Sequence, residues 1–521
     1  MSTLLAATIV LPHVNYTSIM PELILLGGML ILLAVSALVP RQIPTEWYAA
    51  GTVGIAGAAL GASLILWHDV TDHGPFTSVA RAVDVDGFAV FCFVLVACVL
   101  VVAPMFAAGF LRREGIGGPE YYVLALISGS GAMIMASAND LILIFLGLEI
   151  LSIPLYVIAG FNRRSERSLE AAMKYFVLGA FSSAIFVYGI ALTYGATGSL
   201  NLADIGGFLA RNVVTSNGVL LGGLGLLIVG FGFKIAAVPF HFWTPDVYEG
   251  APSSAVGFMA SVAKIGAFGA LIRVLVSAFP ALVSSWQPVI WVIAVASLLL
   301  GAIVAAVMVN VKRMLAYSSI NHAGFILLGL QAGTTAGVSA SLYYLFAYAF
   351  LVLGSFGVIS LVGGAGDEKT ELSDFRGLAK RNPLLALSFA VLLLGQAGIP
   401  FTTGFFAKLY VLQAAVGAHS YALAAIAMAS AGIAVYFYLR IVLMMYSDRP
   451  VEPAEVEEGY DVVAASGSVL TAIRAVVAAP SKIIVPPFIA AGLGISVLAG
   501  LVFGVWPGPL VNFAHAAALI F

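Results

Sequence analysis

Five ionisable side chains lie deep within apolar stretches of the sequence, where a charge is costly. They are Glu149, Lys234, Lys264, His322 and Lys408. On insertion scales an ionised side chain at the bilayer centre costs about 2.5–3.5 kcal/mol, so such a residue marks an ion path or a proton relay by default. Histidine also gains and loses protons near neutral pH. These residue types in apolar surroundings therefore predict proton transfer within a membrane.

The alternative for a basic residue is that its long aliphatic stem carries the charge to the membrane surface. This alternative suits Arg273 and Arg440, which stand near the ends of their apolar stretches. For Lys174, one helical turn into its stretch, both interpretations stay open. It does not suit the three deeper lysines, because each has mostly apolar residues on both sides.

Glu149 is the only carboxylate that lies so deep in an apolar stretch. A lone carboxylate in lipid would be neutral or paired, and a buried lysine is its natural partner. We therefore expect Glu149 and Lys234 to approach each other near mid-membrane, directly or through water. The alternative is a static ion pair that serves only the structure. Asp140 and Glu22 stand at the edges of apolar stretches and are expected at the membrane interface.

Two apolar stretches contain a proline followed by an aromatic residue, at Pro239-Phe240 and at Pro400-Phe401. Proline removes a backbone hydrogen bond and bends a helix, and the freed carbonyl groups must then line a polar cavity. The breaks fall in the seventh and the twelfth predicted span, and an offset of five helices reverses direction across the membrane. This pattern predicts two inverted five-helix repeats with broken helices 7 and 12 at the functional site.

Two histidines lie close to this zone, His241 after the first break and His322 in the tenth span. The alternative for each is a packing role with satisfied hydrogen bonds. We predict that Lys234, Lys264, His322 and Lys408 lie at similar membrane depth in that order, because each is far from its span ends and too costly to face lipid. Hydroxyl groups and water would bridge them. The bridging candidates are Ser318, Ser319, Thr402 and Thr403.

The composition excludes a soluble fold. Of the 521 residues, 61% are apolar and 9% are charged, whereas a soluble domain has about 25% charged residues. The class is therefore an all-α polytopic membrane protein, and a β-barrel is excluded because the apolar runs do not alternate. A net charge of −2 offers no basic face for nucleic acid. Cys92 and Cys98 point in different directions on one helix, so they predict neither a disulfide nor a metal site.

Apolar runs long enough to span a bilayer predict about 14 transmembrane helices. The predicted spans are residues 20–39, 47–67, 87–110, 120–138, 141–161, 170–195, 218–243, 252–279, 287–310, 313–333, 339–364, 383–417, 419–446 and 485–513. The predicted domains are an N-terminal three-helix segment at 1–119, a first repeat of helices 4–8 at 120–279, a second, inverted repeat of helices 9–13 at 287–446, a cytoplasmic loop at 447–484 and a C-terminal helix 14 at 485–521.

Basic residues in the loops predict the orientation of the chain. Loops after odd-numbered spans carry most of them, for example Arg112 and Arg163, whereas loops after even-numbered spans carry Arg81 and Arg211. We therefore expect the odd-numbered exits on the cytoplasmic side and both termini on the outer side. The loop at 447–484, which contains an acidic stretch, would then be cytoplasmic.

The residues around the first break form a long motif. The run from Pro239 to Pro252 reads Pro-Phe-His-Phe-Trp-Thr-Pro-Asp-Val-Tyr-Glu-Gly-Ala-Pro, with Lys234 before it and Lys264 after it. This run resembles the antiporter-like subunits of respiratory complex I, the NADH:quinone oxidoreductase. Within that family it is most similar to the subunit N branch, whereas the subunit M branch and the Mrp-type antiporters usually read Pro-Asp-Ala-His there. The resemblance covers about residues 20–513.

The resemblance implies a role for each matching position. Glu149 and Lys234 match the family's Glu–Lys pair, Lys264 matches its central lysine and Lys408 matches the lysine of span 12. His322 falls in the family's Tyr-Ser-Ser-x-x-His-x-Gly segment. These five residues are the candidate proton path.

Two weaker candidates follow. Lys174 matches a second charged position of the family, and His241 lies in the run that follows the first break. The resemblance also implies a proton-translocating membrane-arm subunit in a bacterial plasma membrane, with the other membrane-arm subunits and the lipid bilayer as partners. It implies no cofactor and no metal in this chain, because NADH and quinone would be bound by other subunits. The alternatives are a stand-alone or Mrp-type cation/proton antiporter and a purely structural membrane scaffold.

Overall fold

The computed structural model describes residues 14–39, 43–212, 218–447 and 483–518, and these residues are almost entirely helical. Most of the predicted loop at 447–484 lies outside the described residues. The helices are α1 Met20–Leu38, α2 Thr45–His73, α3 Gly87–Arg113, α4 Glu120–Ser137, α5 Leu141–Ala159, α6 Glu166–Thr197, α7 Leu202–Arg211, α8 Gly218–Lys234, α9 Trp243–Gly250, α10 Ser253–Arg273, α11 Val283–Val307, α12 Val311–Gln331, α13 Thr335–Gly363, α14 Leu378–Arg381, α15 Pro383–Ala397, α16 Thr403–Gly417, α17 Tyr421–Tyr446, α18 Pro487–Val505 and α19 Gly508–Ala516.

The helices have the lengths and compositions of membrane spans. Within the described ranges, 10 helices are long and apolar enough to cross a membrane, and α8 and α15 are shorter apolar helices. The predicted class, an all-α polytopic membrane protein, is confirmed. The count of 14 spans, the inverted repeats and the division into domains stay predictions.

Both predicted breaks are present, and other groups compensate for the interrupted backbone. The first separates α8 from α9, and the Val238 N–H donates to Ser297 Oγ of α11 at 2.9 Å. The indole N–H of Trp243 donates to the carbonyl of Phe233 at 2.9 Å. The second separates α15 from α16, and Gly398 there has a φ of 86° that favours glycine. Irregular backbone at membrane depth is thus held by protein groups rather than left to lipid.

Helix α10 is the central helix of the fold, because all of its residues are buried. It packs against α3, α4 and α13. Close approach is possible where small residues meet: a side chain at Gly266 would lie 3.0 Å from the Cα atom of Ala132 in α4. This packing places Lys264, in the middle of α10, at the centre of the molecule.

A two-stranded antiparallel hairpin, β1 Phe76–Ser78 and β2 Val83–Val85, lies between α2 and α3 and was not predicted from the sequence. Asp84 of β2 and the following Asp86 bind Arg273, whose side chain is 1% exposed. Glu22 is also buried, at 5% exposure. The expected positions of Arg273 and Glu22 near the membrane surface stay predictions.

Candidate functional site

Lys234 is the last residue of α8 and is buried beside two tyrosines. Its Nζ donates to the Tyr156 hydroxyl at 3.1 Å and lies 4.9 Å from the centre of that ring and 5.3 Å from the ring of Tyr175. Tyr156 stands on α5 two turns after Glu149. Glu149 accepts a hydrogen bond from Ser183 Oγ at 2.5 Å. The first group of the site therefore joins α5, α6 and α8.

Glu149 and Lys234 do not form a direct ion pair within 4.0 Å in the part of the chain that the structure describes. They interact electrostatically at longer range, and Tyr156 also interacts with Glu149. Glu149 is half-buried, between the exposed Leu146 and Ile153 on one face of α5. The expected approach of the two charges, through a hydroxyl group and water, stays a prediction.

Lys264 occupies the centre of the molecule. Its Nζ donates to the backbone carbonyl of Ser319 in α12 and lies 4.8 Å from the ring centre of Tyr348 in α13. The Ser319 hydroxyl contacts the Tyr348 hydroxyl at 2.8 Å and the Tyr248 hydroxyl of α9 at 3.4 Å. Ser319 thus connects the central lysine to the short helix after the first break, and its predicted role as a bridge for protons stays a prediction.

His322 stands one turn further along α12 and contacts two tyrosines. Its Nδ1 lies 2.7 Å from the Tyr344 hydroxyl of α13, and its Nε2 lies 3.0 Å from the Tyr438 hydroxyl of α17. Both Lys264 and Lys408 interact electrostatically with the imidazole. This neighbourhood agrees with the predicted order, in which the histidine lies between the central lysine and the lysine of the second break.

Lys408 reaches back across the second break. It lies in the second turn of α16, and its Nζ donates to the carbonyl of Ala397, the last residue of α15, at 2.7 Å. The ring centre of Phe325 lies 5.0 Å from the same nitrogen. Lys234, Lys264 and Lys408 therefore share one environment, because each has a neutral hydrogen-bond acceptor and an aromatic ring about 5 Å away.

Of the predicted bridges at the second break, neither threonine connects two axis residues. Thr402 Oγ1 donates to the carbonyl of Ile399 at 2.6 Å. Thr403 Oγ1 donates to the carbonyls of Ala499 and Gly500 in α18, at 2.6 and 3.0 Å. The first contact lies within the break and the second joins α16 to α18, and the expectation that these hydroxyl groups extend the proton path stays a prediction.

The two weaker candidates lie apart from the lysines. Lys174 is half-exposed and forms ion pairs with Glu170 at 2.7 Å and with Asp246 at 2.9 Å. Arg313 binds the same Asp246 at 3.1 Å, so Lys174 belongs to a charged cluster at the end of α9. His241 is buried within the first break, and its Nδ1 has no hydrogen-bond partner among the described residues.

A charged cavity of about 560 Å³ lies beside that cluster. Lys312, buried in its wall, donates to the carbonyl of Ala251 at 2.6 Å and pairs with Asp367 at 3.3 Å. Glu249 of α9 also lines the cavity. Because Tyr248 on the same helix contacts Ser319, α9 links the cavity to the groups around Lys264.

Sequence reasoning missed the tyrosines. They are buried and contact the lysines, the histidine or Ser319, but in a hydropathy pattern an aromatic ring counts as apolar. A buried tyrosine hydroxyl usually finds a hydrogen-bond partner, and this tendency was the available signal, although the Tyr175 hydroxyl has none among the described residues. The tyrosines concerned are Tyr156, Tyr175, Tyr248, Tyr344, Tyr348 and Tyr438.

The arrangement is a row of proton donors and acceptors. Hydroxyl, imidazole and ammonium groups at hydrogen-bond distances exchange protons directly, and wider separations need a water molecule between them. Among the residues described, no three histidine, cysteine or acidic side chains converge as a metal site would require. We refer to Lys234, Lys264, His322, Lys408 and their bridging hydroxyl groups as the axis.

Comparisons with known proteins give one consistent result. Residues 138–434, which contain Glu149, Lys234, Lys264, His322 and Lys408, match the family described as NADH:quinone oxidoreductase/Mrp antiporter, TM. The chain is 42% identical over 436 residues to the NADH-quinone oxidoreductase subunit N of Trichlorobacter lovleyi, an alignment that covers 83% of this chain and 88% of that protein.

Solved structures agree. A chain of respiratory complex I from Thermus thermophilus with bound aureothin superimposes with a TM-score of 0.76 at 32% identity, over 96% of this chain and 100% of that one. A chain of the Mrp complex from a Dietzia species superimposes with a TM-score of 0.81 at 21% identity, over 96% and 97%. The latter likeness shows the fold alone.

Proposed function

The chain belongs to the NADH:quinone oxidoreductase/Mrp antiporter transmembrane family, and from this premise we propose that it is the subunit N of a respiratory complex I and translocates protons along the axis. One observation carries the proposal. Lys234, Lys264 and Lys408 are buried without a carboxylate within 4.0 Å among the described residues. Three ammonium groups so placed cost free energy, which a structural scaffold would avoid.

The chemistry of the axis is proton loading and release. A lysine that gives up its proton becomes a neutral amine, and it regains the charge when a proton arrives from the next group or from water. Glu149 supplies the bias: at about 4 Å and an effective dielectric of 20, a unit charge pair is worth about 4 kcal/mol, and this energy falls in proportion to distance for a pair as separated as Glu149 and Lys234. Moving or neutralising that partner therefore changes the proton occupancy of Lys234, and the change passes along the row.

The remaining features of the proposal follow from the family. Redox chemistry, NADH and quinone belong to partner subunits, so this chain needs no cofactor of its own and contributes to the enzyme only as a proton-translocating subunit. Its partners are the other membrane-arm subunits and the lipid bilayer of a bacterial plasma membrane. The basic loops would face the cytoplasm and both termini the outer side.

Lys264 gives the sharpest test. We expect Lys264→Ala to abolish the pumping that passes through this subunit in the purified complex, reconstituted in vesicles and driven by NADH. Lys264→Arg keeps the charge but does not release a proton, so it fails as well. The exposed Lys369→Ala serves as the control and leaves pumping unchanged.

The outcomes separate the alternatives. A Lys264→Arg complex that pumps normally would show that Lys264 provides only a fixed positive field. Pumping that requires sodium, measured in sodium-free and sodium-containing vesicles, would favour a cation/proton antiporter. Failure of the chain to co-purify with NADH-oxidising subunits would refute membership of the complex.

A further inference from the structure

Gln396, for which no role was predicted from the sequence, lies between the axis and the second break. It is the residue before the last of α15 and is 1% exposed. Its side chain contacts α13 on one side and Tyr438 of α17 on the other. A buried amide with four hydrogen-bonding positions orients its neighbours, because its oxygen only accepts and its nitrogen only donates.

The hydrogen bonds to α13 fix which way this amide points. The Ser355 hydroxyl gives its proton to the carbonyl of Leu351 at 2.8 Å. It must therefore accept from Gln396, whose Nε2 lies 2.8 Å away. The same nitrogen lies 3.4 Å from the carbonyl of Leu351, which also only accepts. The amide nitrogen thus faces α13, and the oxygen faces Tyr438.

This orientation assigns the proton of Tyr438. The Gln396 Oε1 lies 3.4 Å from the Tyr438 hydroxyl and can only accept from it. Of the three groups that contact this hydroxyl, Ser318 Oγ and His322 Nε2 can donate or accept, whereas Gln396 Oε1 only accepts. The three contacts are satisfied together only when the phenol donates to Gln396 and accepts from Ser318 and from His322 Nε2, 3.0 Å away. In that arrangement the Nε2 atom of His322 carries a hydrogen.

The tautomer of the histidine follows from the same count. A neutral imidazole has one N–H, so with Nε2 protonated, Nδ1 accepts from the Tyr344 hydroxyl at 2.7 Å. All hydrogens then point one way, from Tyr344 to His322, from His322 to Tyr438 and from Tyr438 to Gln396. The end of this row lies next to Ala397, whose carbonyl binds the ammonium of Lys408.

We propose that Gln396 is a positioning residue that gives the row from Tyr344 through His322 to Tyr438 a single hydrogen-bond direction, so that protons leave His322 toward the second break. The proposal rests on the proposed function, because it concerns the same axis. Without the amide oxygen, Tyr438 can turn its proton to His322 Nε2, which reverses the direction of the row and changes the tautomer.

The proton balance of one transfer is closed. Tyr438 gives its hydroxyl proton to a water molecule beside Gln396 and takes the Nε2 proton of His322. His322 takes a proton at Nδ1 from Tyr344, and Tyr344 recovers one from a second water molecule. Each group gains one proton and loses one, and the net result is one proton moved from the Tyr344 side to the side of Lys408. The transfer leaves the hydrogen of His322 on Nδ1 and the row reversed, so the imidazole and the two hydroxyl groups must turn back before the next transfer. The Gln396 oxygen, which only accepts, favours this return.

The test removes the amide oxygen while keeping the shape. Gln396→Met has nearly the same length and volume, and its matched control is Gln331→Met, because Gln331 is also buried and its Oε1 has no hydrogen-bond partner among the described residues. Gln396→Glu keeps an acceptor toward Tyr438 and, when protonated, a donor toward Ser355. Each variant is assayed in the whole complex for NADH oxidation, for proton pumping in vesicles and for the pH profile of pumping.

We expect Gln396→Met to lower pumping per NADH up to about tenfold, the factor that corresponds to one hydrogen bond, and to shift the pH profile, because His322 then changes tautomer between Lys264 and Lys408. Gln396→Glu should restore pumping, and Gln331→Met should match the unaltered complex. Should the complex with Gln396→Met fail to assemble, Gln396→Leu, which also lacks the amide oxygen, takes its place. Tyr438→Phe removes the hydroxyl group that faces this oxygen and interrupts the row itself, so it should lower pumping at least as much.

The results also separate this proposal from the proposed function. If Lys264→Ala abolishes pumping while Gln396→Met and Tyr438→Phe leave both the pumping ratio and the pH profile unchanged, the directional role of Gln396 is wrong and the axis stands. If Lys264→Ala leaves pumping intact as well, the axis itself is refuted. A loss of pumping in Gln396→Met without any shift of the pH profile, and without rescue by Gln396→Glu, would show a structural effect and overturn the proposal.

Discussion

Asp86 holds several elements together at the end of α10. Arg273, which is 1% exposed, donates to both of its carboxylate oxygens at 2.9 and 2.8 Å and to Asp84 at 3.3 Å. The same guanidinium donates to the carbonyl of Ala136 in α4 at 2.7 Å. Asp86 also caps α3, because its Oδ1 accepts from the Ala89 N–H at 2.8 Å. One carboxylate therefore joins α3, α10 and, through the arginine, α4 and the hairpin.

The structure gives the size of the loss when this carboxylate is removed. Breaking a buried ion pair by deleting one partner costs about 3–5 kcal/mol when the other charge is left unpaired. In Asp86→Ala the arginine keeps Asp84 as a partner at 3.3 Å, so the low end of this range applies. Loss of an N-cap adds about 1 kcal/mol. We therefore expect Asp86→Ala to lower the free energy of unfolding by roughly 3–4 kcal/mol, and Asp86→Asn to cost about 1 kcal/mol less, because its amide oxygen still caps the helix.

The assay is thermal unfolding of the purified protein in detergent, with assembly of the complex as a second measurement. The control is Asp204→Ala, because Asp204 pairs with Arg81 at 2.8 Å on the surface, where an ion pair contributes about 0–1 kcal/mol. In the double variant Arg273→Met with Asp86→Ala no buried charge is left unpaired, so it should be more stable than Asp86→Ala alone. Equal unfolding temperatures for Asp86→Ala and Asp204→Ala would refute the reasoning.

Three further predictions concern the hairpin, the charge pair and the second break. Burial raises the pKa of Asp84 to about 6 despite the adjacent guanidinium. Between about pH 4 and pH 6 the folded chain therefore keeps a proton that the unfolded chain releases, and the free energy of unfolding should fall as the pH rises through this window. Asp84→Asn should remove this pH dependence in unfolding measurements. Glu149→Gln should lower NADH-driven pumping in vesicles while subunit assembly stays intact, and unchanged pumping would count against Glu149 as the switch. A methyl group at Gly404 would collide with the backbone carbonyl of Gly395 across the break, so Gly404→Ala should lower the free energy of unfolding by about 1–3 kcal/mol in thermal unfolding. The control is Gly417→Ala, whose added methyl group has no atom within 4 Å and should leave stability unchanged or raise it.

The sequence predicted the membrane class, the two breaks and the buried lysines for a common physical reason. A membrane span tolerates a charged residue or a proline in only a few structural situations, so a single such residue is informative. The position of Lys264 inside an apolar run was enough to expect it within the bundle, and the structure buries it at the centre of the molecule.

The partners of these residues could not be predicted, because they depend on contacts between helices far apart in the chain. Tyr438 is 116 positions from His322, and Arg273 is 187 positions from Asp86. For neither the tyrosine nor the arginine does the spacing of nearby residues in the sequence predict the partner. The same limit applies to Thr403, whose hydroxyl group donates to the carbonyl of Ala499, 96 positions away.

Neutral hydrogen-bond acceptors and aromatic rings stabilise the ammonium groups of all three buried lysines, and this common environment is relevant to their function. Each ammonium donates to a neutral acceptor, the Tyr156 hydroxyl or the carbonyl of Ser319 or Ala397, and each lies 4.8–5.0 Å from an aromatic ring centre. A cation over a desolvated ring gains about 2 kcal/mol, which offsets much of the about 2.5–3.5 kcal/mol that the membrane imposes.

Helix ends contribute at the two breaks, although by different routes. Lys234 is itself the last residue of α8, whereas Lys408 follows its break and reaches back to the last carbonyl of α15. Both charges therefore stand at the carboxyl end of a half-helix, where the backbone dipole favours a cation. A neutral carbonyl or ring stabilises the ammonium without accepting its proton, whereas a contacting carboxylate would hold the proton in place by a Coulomb term of several kcal/mol. Burial among neutral acceptors thus leaves each lysine able to release its proton, and it leaves the more distant Glu149 as the carboxylate whose charge can bias that release.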